Sequence, residues 1–311
     1  METRSNALLN YIPHETDHQG ELHPEVDYFL GERTMLPKEE LVEQAYFFKT
    51  LLERIRQAMP IQEVLSSIAE EILATTDLPK AIAFLKSELQ TQGGFARAMA
   101  RLDHYFTPFQ TFVVEEAEDE RGKFDLRTGL EILRRDAEYR SGEPSRQGIF
   151  LYQFECICRN RLHYDAGLGA MAKDPSFDSP WREWVLTVRR QVGLVELADL
   201  IYVRSTHYQA SHVEESATKT PLFGEKEGRI ALANRKKDPL LLFAALQRQL
   251  GYPEPPRPQP MAQNHEKIDQ MTRRLERLEG RMKLLEEEAR GGIQIERFFT
   301  APESPPPDAT S

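Results

Sequence analysis

A chain of 311 residues with 40% hydrophobic and 29% charged residues can build a core, but its 20 prolines gather in stretches that no core absorbs. The net charge of −10 sets up a field that repels nucleic acid and anionic lipid, so neither is expected as a partner. The most apolar run, 240–246, is far shorter than the roughly 20 residues of a membrane span.

Residues 1–10 lack the basic stretch and apolar core of a secretory signal. The only cysteines, Cys156 and Cys158, lie one residue apart. That pair cannot staple a secreted fold and reads as buried free thiols. A reducing, cytoplasmic setting is expected.

Residues 1–37 carry Pro13, Gly20, Pro24, Gly31 and Pro37, which interrupt any regular element, and read as an extended arm. Tyr11, Ile12, Val26, Tyr28, Phe29 and Leu30 could anchor it. Within the arm, His14-Glu15-Thr16-Asp17-His18 spells H-E-x-x-H, and His23 could add a third ligand. A zinc site of that kind needs a helix that brings both imidazoles to one face. Pro13 and Gly20 leave barely one turn, and Asp17 puts a charge where such a helix is normally buried. The motif therefore matches on letters, and no cofactor is assigned.

From Lys38 the spacing of apolar residues becomes helical. Leu41, Ala45, Phe48, Leu52 and Ile55 form one stripe, stopped by Pro60. Ile61, Val64, Leu65, Ile68 and Ile72 form a second. Asp77 and Pro79 open a third helix through Ile82, Leu85 and Leu89, ended by Gly93-Gly94. Phe95, Ala98, Met99, Leu102 and Tyr105 begin a fourth. Thr107-Pro108-Phe109-Gln110 has the form of a capping box. The helix it starts runs into the acidic residues 115–120, which oppose the macrodipole and are expected to fray or stay solvated. Leu126, Leu130, Leu133 and Ala137 mark the next helix, ending near Ser141-Gly142.

Residues 148–162 alternate as a strand would, but the intervening positions are apolar too, and a buried helix is the better reading. Ser179-Pro180 opens a helix that buries Trp181, Trp184, Val185 and Val188. Gly193 separates it from a helix over 194–203. An appended segment, 209–251, offers a small hairpin of Leu222-Phe223 against 229–233, then a helix capped by Asp238-Pro239 and ended by Gly251. Residues 252–260 hold five prolines and read as a stiff spacer.

A heptad seam follows in residues 261–290. Ile268, Met271, Leu275, Leu278, Met282 and Leu285 are spaced by three and four without a break. That places Ile268, Leu275 and Met282 at a, and Met271, Leu278 and Leu285 at d. Lys267, Arg274 and Arg281 fall at g, with Thr272, Glu279 and Glu286 at e. A parallel pair sets Arg274 against Glu279 and Arg281 against Glu286; an antiparallel one sets like charges together. A parallel homodimer is therefore favoured over a trimer, a foreign helix or the protein's own body. The seam is short, and Gly280 weakens it by about 1 kcal/mol. Residues 291–311 read as a flexible tail.

The expected architecture is all-α: an arm at 1–37, a helical body at 38–208, the appended segment, a spacer, and a C-terminal coiled coil. The expected function is non-enzymatic assembly, with self-association through the seam and a protein partner on the body. The alternative is an enzyme, metal-dependent or not, whose site is built from scattered body residues.

Overall fold

The computed structural model describes residues 35–57, 59–73, 75–92, 94–119, 124–191, 193–212 and 220–257, with Leu275, Leu278, Glu279, Met282 and Lys283. The arm up to residue 34, the end of the spacer, most of 261–290 and the tail lie outside the described residues. Those described fold into thirteen helices with no strand, so the molecule is all-α. None of these helices is long and apolar enough to cross a membrane.

In chain order the helices are α1 (Lys38–Arg56), α2 (Ile61–Glu71), α3 (Leu78–Gln92), α4 (Phe95–Arg101), α5 (Pro108–Glu118), α6 (Leu126–Ser141) and α7 (Arg146–Asn160). Then come α8 (Tyr164–Met171), α9 (Ser179–Gln191), α10 (Leu197–Val203), α11 (Thr206–Ser211), α12 (Glu225–Ala233) and α13 (Pro239–Leu250). Helix α1 packs along α6, α5 bridges α6 to α8, and α7 lies among α6, α8 and α13. That position explains why α7 looked ambiguous in sequence. Phe150, Leu151, Tyr152, Phe154, Cys156 and Ile157 are all buried, so no polar face interrupts the apolar run.

The capping box forms as its sequence implies, with Gln110 N donating to Thr107 Oγ1 at 3.3 Å and Thr107 N to Gln110 Oε1 at 3.0 Å. In the acidic run Glu115, Glu118 and Asp119 are exposed as expected, and two of its carboxylates have a further use. Glu118 accepts from Phe95 N at 2.6 Å and Ala96 N at 3.1 Å, and Glu116 accepts from His163 N at 3.2 Å. These carboxylates cap the first turns of α4 and α8, where the helix dipole favours negative charge. Glu40 does the same for α3, taking Asp77 N at 2.6 Å, while the Asp77 carboxylate pairs with Lys80.

The hairpin expected in 222–233 does not form, because 225–233 is helix α12. Gly228 sits mid-helix, where its missing side chain permits a close contact. A Cβ there would lie 2.2 Å from Ser205 Oγ and 2.8 Å from His207 Cβ. Among the described residues, strand-like backbone pairing is the Ser205–Phe223 bridge, supported by Thr206 N donating to Phe223 O at 3.0 Å.

Residues 220–257 belong to the same core as the helices before them. Phe223 inserts its ring 5.3 Å from Trp181 and 5.1 Å from Trp184, both edge-on, and Leu242, Phe243, Leu246 and Tyr252 are buried in the same cluster. The first half of the proline segment is also seated on the body. Tyr252, Pro255 and Pro256 are buried. Tyr252 Oη donates to Glu155 at 2.9 Å, and Asn160 Nδ2 to the Pro256 carbonyl at 3.2 Å. Residues 252–257 thus form a strap along α7.

Candidate functional site: an apolar groove beside the strap

Two parts of the surface and interior stand out physically. The first is a groove of about 560 Å³ between α7, α8, α10 and the start of α13. Its origin is local. Helix α9 ends before Gly193, whose φ of +84° lies in the left-handed region that glycine tolerates at no steric cost. The turn is closed by Gln191 O, which accepts from Leu194 N at 2.9 Å and Val195 N at 3.0 Å, and it projects Leu194 outward. On the other side, Asp238 Oδ1 accepts from Leu240 N at 2.9 Å and caps α13. That cap fixes a first turn whose Leu240 and Leu241 face away from the core.

Leu194 is 83% exposed, Leu240 51% and Leu241 54%. The groove beneath is floored by Phe154 and Phe243, with ring centroids 6.2 Å apart, and walled by Tyr164, Val188, Leu197 and Leu200. The polar groups nearby are committed. Arg159 Nε donates to Glu155 at 2.6 Å, and Glu196 accepts from Lys236 N at 2.8 Å. Burial pushes the Cys158 thiol up to about 11, so it stays protonated and is a poor nucleophile at neutral pH. An apolar floor with a paired polar rim accepts apolar side chains from a protein or peptide.

The second feature is a sealed polar cluster. Arg140 Nε donates to Asp136 at 2.7 Å, its Nη2 to Asp174 at 2.6 Å and its Nη1 to Ser176 Oγ at 2.9 Å. Gln153 Nε2 reaches Asp174 at 3.3 Å, and Ser176 N donates to Asp174 at 2.9 Å. All five side chains are buried, so α6, α7 and the loop after α8 are locked together through charge. Burial pushes the Asp136 carboxyl up against the pull of Arg140. Burial also raises Asp174, but Arg140 and Ser176 outweigh it and hold that carboxyl below the ordinary aspartate range. The two acids differ because one guanidinium cannot neutralise both.

The sequence-derived candidates fall as follows. His14, His18 and His23 lie outside the described residues. Among the described residues no group of three or more His, Cys, Asp or Glu is arranged to hold a metal ion. Of the seam, Ile268, Met271 and Leu285 lie outside the described residues. Leu275, Leu278 and Met282 are helical, and are 59%, 53% and 62% exposed. Cys156 and Cys158 are free thiols, the first buried and the second partly so.

Sequence reading missed both the groove and the Arg140 cluster. The groove left one trace, the surplus apolar pair Leu240-Leu241 lying off the buried stripe of its own helix. The cluster left another, Asp136 and Arg140 at i, i+4 on the same helix as Leu133 and Ala137. No family model, curated protein or solved structure matches this chain.

Proposed function

We propose that this protein is a non-enzymatic assembly factor that self-associates through the seam helix and engages protein through apolar surfaces on its body. The observation that carries the reading is the exposure of Leu275, Leu278 and Met282. Their spacing by three and four gives a helix one apolar face, and these three side chains are left uncovered by the body. Such a face is stabilised by a second helix, and its flanking charges are matched by a parallel copy of itself. Two body surfaces support the second half of the reading. One is the groove. The other is formed by Val42 and Tyr46 on α1 with Leu73 after α2, all exposed, where Leu73 N donates to Glu43 at 3.3 Å.

Replacing Leu275 and Leu278 with Asp buries unpaired charge in any paired state, which costs several kcal/mol against a short seam. Sedimentation of the double variant should show a folded monomer where wild type shows a dimer. Wild-type protein that stays monomeric at tens of micromolar would remove self-association from the reading.

A further inference from the structure

We propose that the groove between α7, α10 and α13 is filled by a second copy of this chain, each copy's Leu194 entering the other's groove. The inference rests on the self-association proposed above and names its second contact. Three observations choose this occupant over a foreign protein.

The first is position. The strap runs along α7 on Glu155 and Asn160, immediately beside Phe154, Cys158 and Arg159 of the groove. The described strap ends at Arg257. Ten residues, 258–267, separate that point from Ile268, the first seam residue, and span at most about 35 Å fully extended. Pairing the seams therefore tethers the two groove faces within reach of one another. Such a tether gives a local concentration on the order of millimolar, which a foreign partner must exceed to compete.

The second is charge. A face that meets its own copy across a two-fold axis must be self-complementary. This rim carries both signs, with Arg159 as its cation and Glu196 and Asp238 as its anions. A rim of one sign would repel its copy.

The third is shape. The groove is bordered by its own projection, because Gly193 thrusts Leu194 out while Phe154 and Phe243 floor the hollow beside it. Knob and hole lie on one surface, as an isologous contact requires. On this arrangement the Val42, Tyr46 and Leu73 face remains open to a different protein.

The experiment is sedimentation velocity on the full chain over a range of concentrations. It compares wild type, Leu194→Asp with Leu240→Asp, and Leu275→Asp with Leu278→Asp. All four positions are exposed, so circular dichroism should be unchanged; Leu194→Ser with Leu240→Ser provides a milder groove variant. The groove variants should weaken dimerisation at least tenfold, and their residual dimers should sediment as more elongated particles. Groove variants that dimerise like wild type, beside a monomeric seam variant, overturn this inference and leave the proposed self-association standing. A seam variant that dimerises like wild type overturns the seam instead. Should the groove variants then be monomeric, the groove contact stands without it. A proximity test uses Leu241→Cys in a Cys158→Ala background with a short bismaleimide. Cross-linked dimers at low protein concentration are expected. Dimers that form without any cross-link would assign the groove to another segment of this chain or to a foreign protein.

Discussion

The Arg140 cluster and the groove break the same rule in opposite directions. One places charge where apolar atoms belong, and the other places leucines where water is. In the cluster all three guanidinium nitrogens of Arg140 donate to acceptors inside the protein, so its value lies in holding α6, α7 and the loop after α8 in one arrangement. A buried ion cluster of this kind adds little net stability over apolar packing, yet removing one member is costly. The groove has no such internal closure. Leu194, Leu240 and Leu241 could become polar without leaving anything unpaired, so holding the fold does not explain them. Intolerance to substitution should therefore separate the two regions, with stability failing at the first and association at the second.

The largest expected effect is at the cluster. Arg140→Met leaves Asp136 and Asp174 buried without their cation and should lower unfolding free energy by about 3–5 kcal/mol. Urea unfolding of the monomeric seam variant, with and without this change, measures it. A loss under about 1 kcal/mol would mean that the cluster is hydrated rather than sealed.

Next in size, Tyr252→Phe removes the hydroxyl that donates to Glu155 and leaves that buried carboxylate with Arg159 as its remaining partner. A loss of about 1–2 kcal/mol is expected. Protease cleavage within 252–257 should accelerate, since the strap would lose a main anchor.

The two aspartates then separate by the sign of their pH response. Asp174 has a folded pKa below its unfolded value. Its contribution is complete above about 3.9 and is lost as pH falls through the lower folded value. Asp136 has a folded pKa above its unfolded value, so its contribution is complete below about 3.9 and is lost as pH rises through the raised value. Asp136→Asn should therefore give a stability curve that climbs more steeply with pH than wild type, and Asp174→Asn one that climbs less. Urea midpoints between pH 3 and 7 decide it, and parallel curves would show that neither acid titrates as described.

The smallest effect is at the groove. Leu194→Ser with Leu240→Ser in the seam-variant background should shift monomer stability by no more than about 0.5 kcal/mol. A loss above about 2 kcal/mol in that monomer would show that these leucines hold the fold, and the contrast between the regions would collapse.

How much of this was legible in sequence depends on whether a residue's role is local. The stripe of α1, the Thr107 capping box, the Trp181 and Trp184 anchors and the Asp238 cap are all decided within one or two helical turns. Each appears where its spacing places it. Partners far apart in the chain were not legible. Glu118 caps a helix that begins 23 residues earlier, and Arg140 meets Asp174 across 34 residues. Nothing in the spacing of those residues announces the meeting. Gly228 shows a third case, a residue whose role is set by a distant neighbour. Its missing side chain permits the close approach of α12 to Ser205, in a segment where a hairpin was expected. The groove depends on which side of a helix is left uncovered, and that is known only once every neighbour is placed.

The strap has a mechanical consequence. Gly251 ends α13 in a left-handed turn with φ +68°, and the next residues are pinned by Tyr252 and then by Asn160 on Pro256. Tension on the C-terminal end is met first at Pro256 and then at Tyr252, before any of it reaches the hydrogen bonds of α13. Pull on Arg257 is thus met by the strap before α13 begins to unwind.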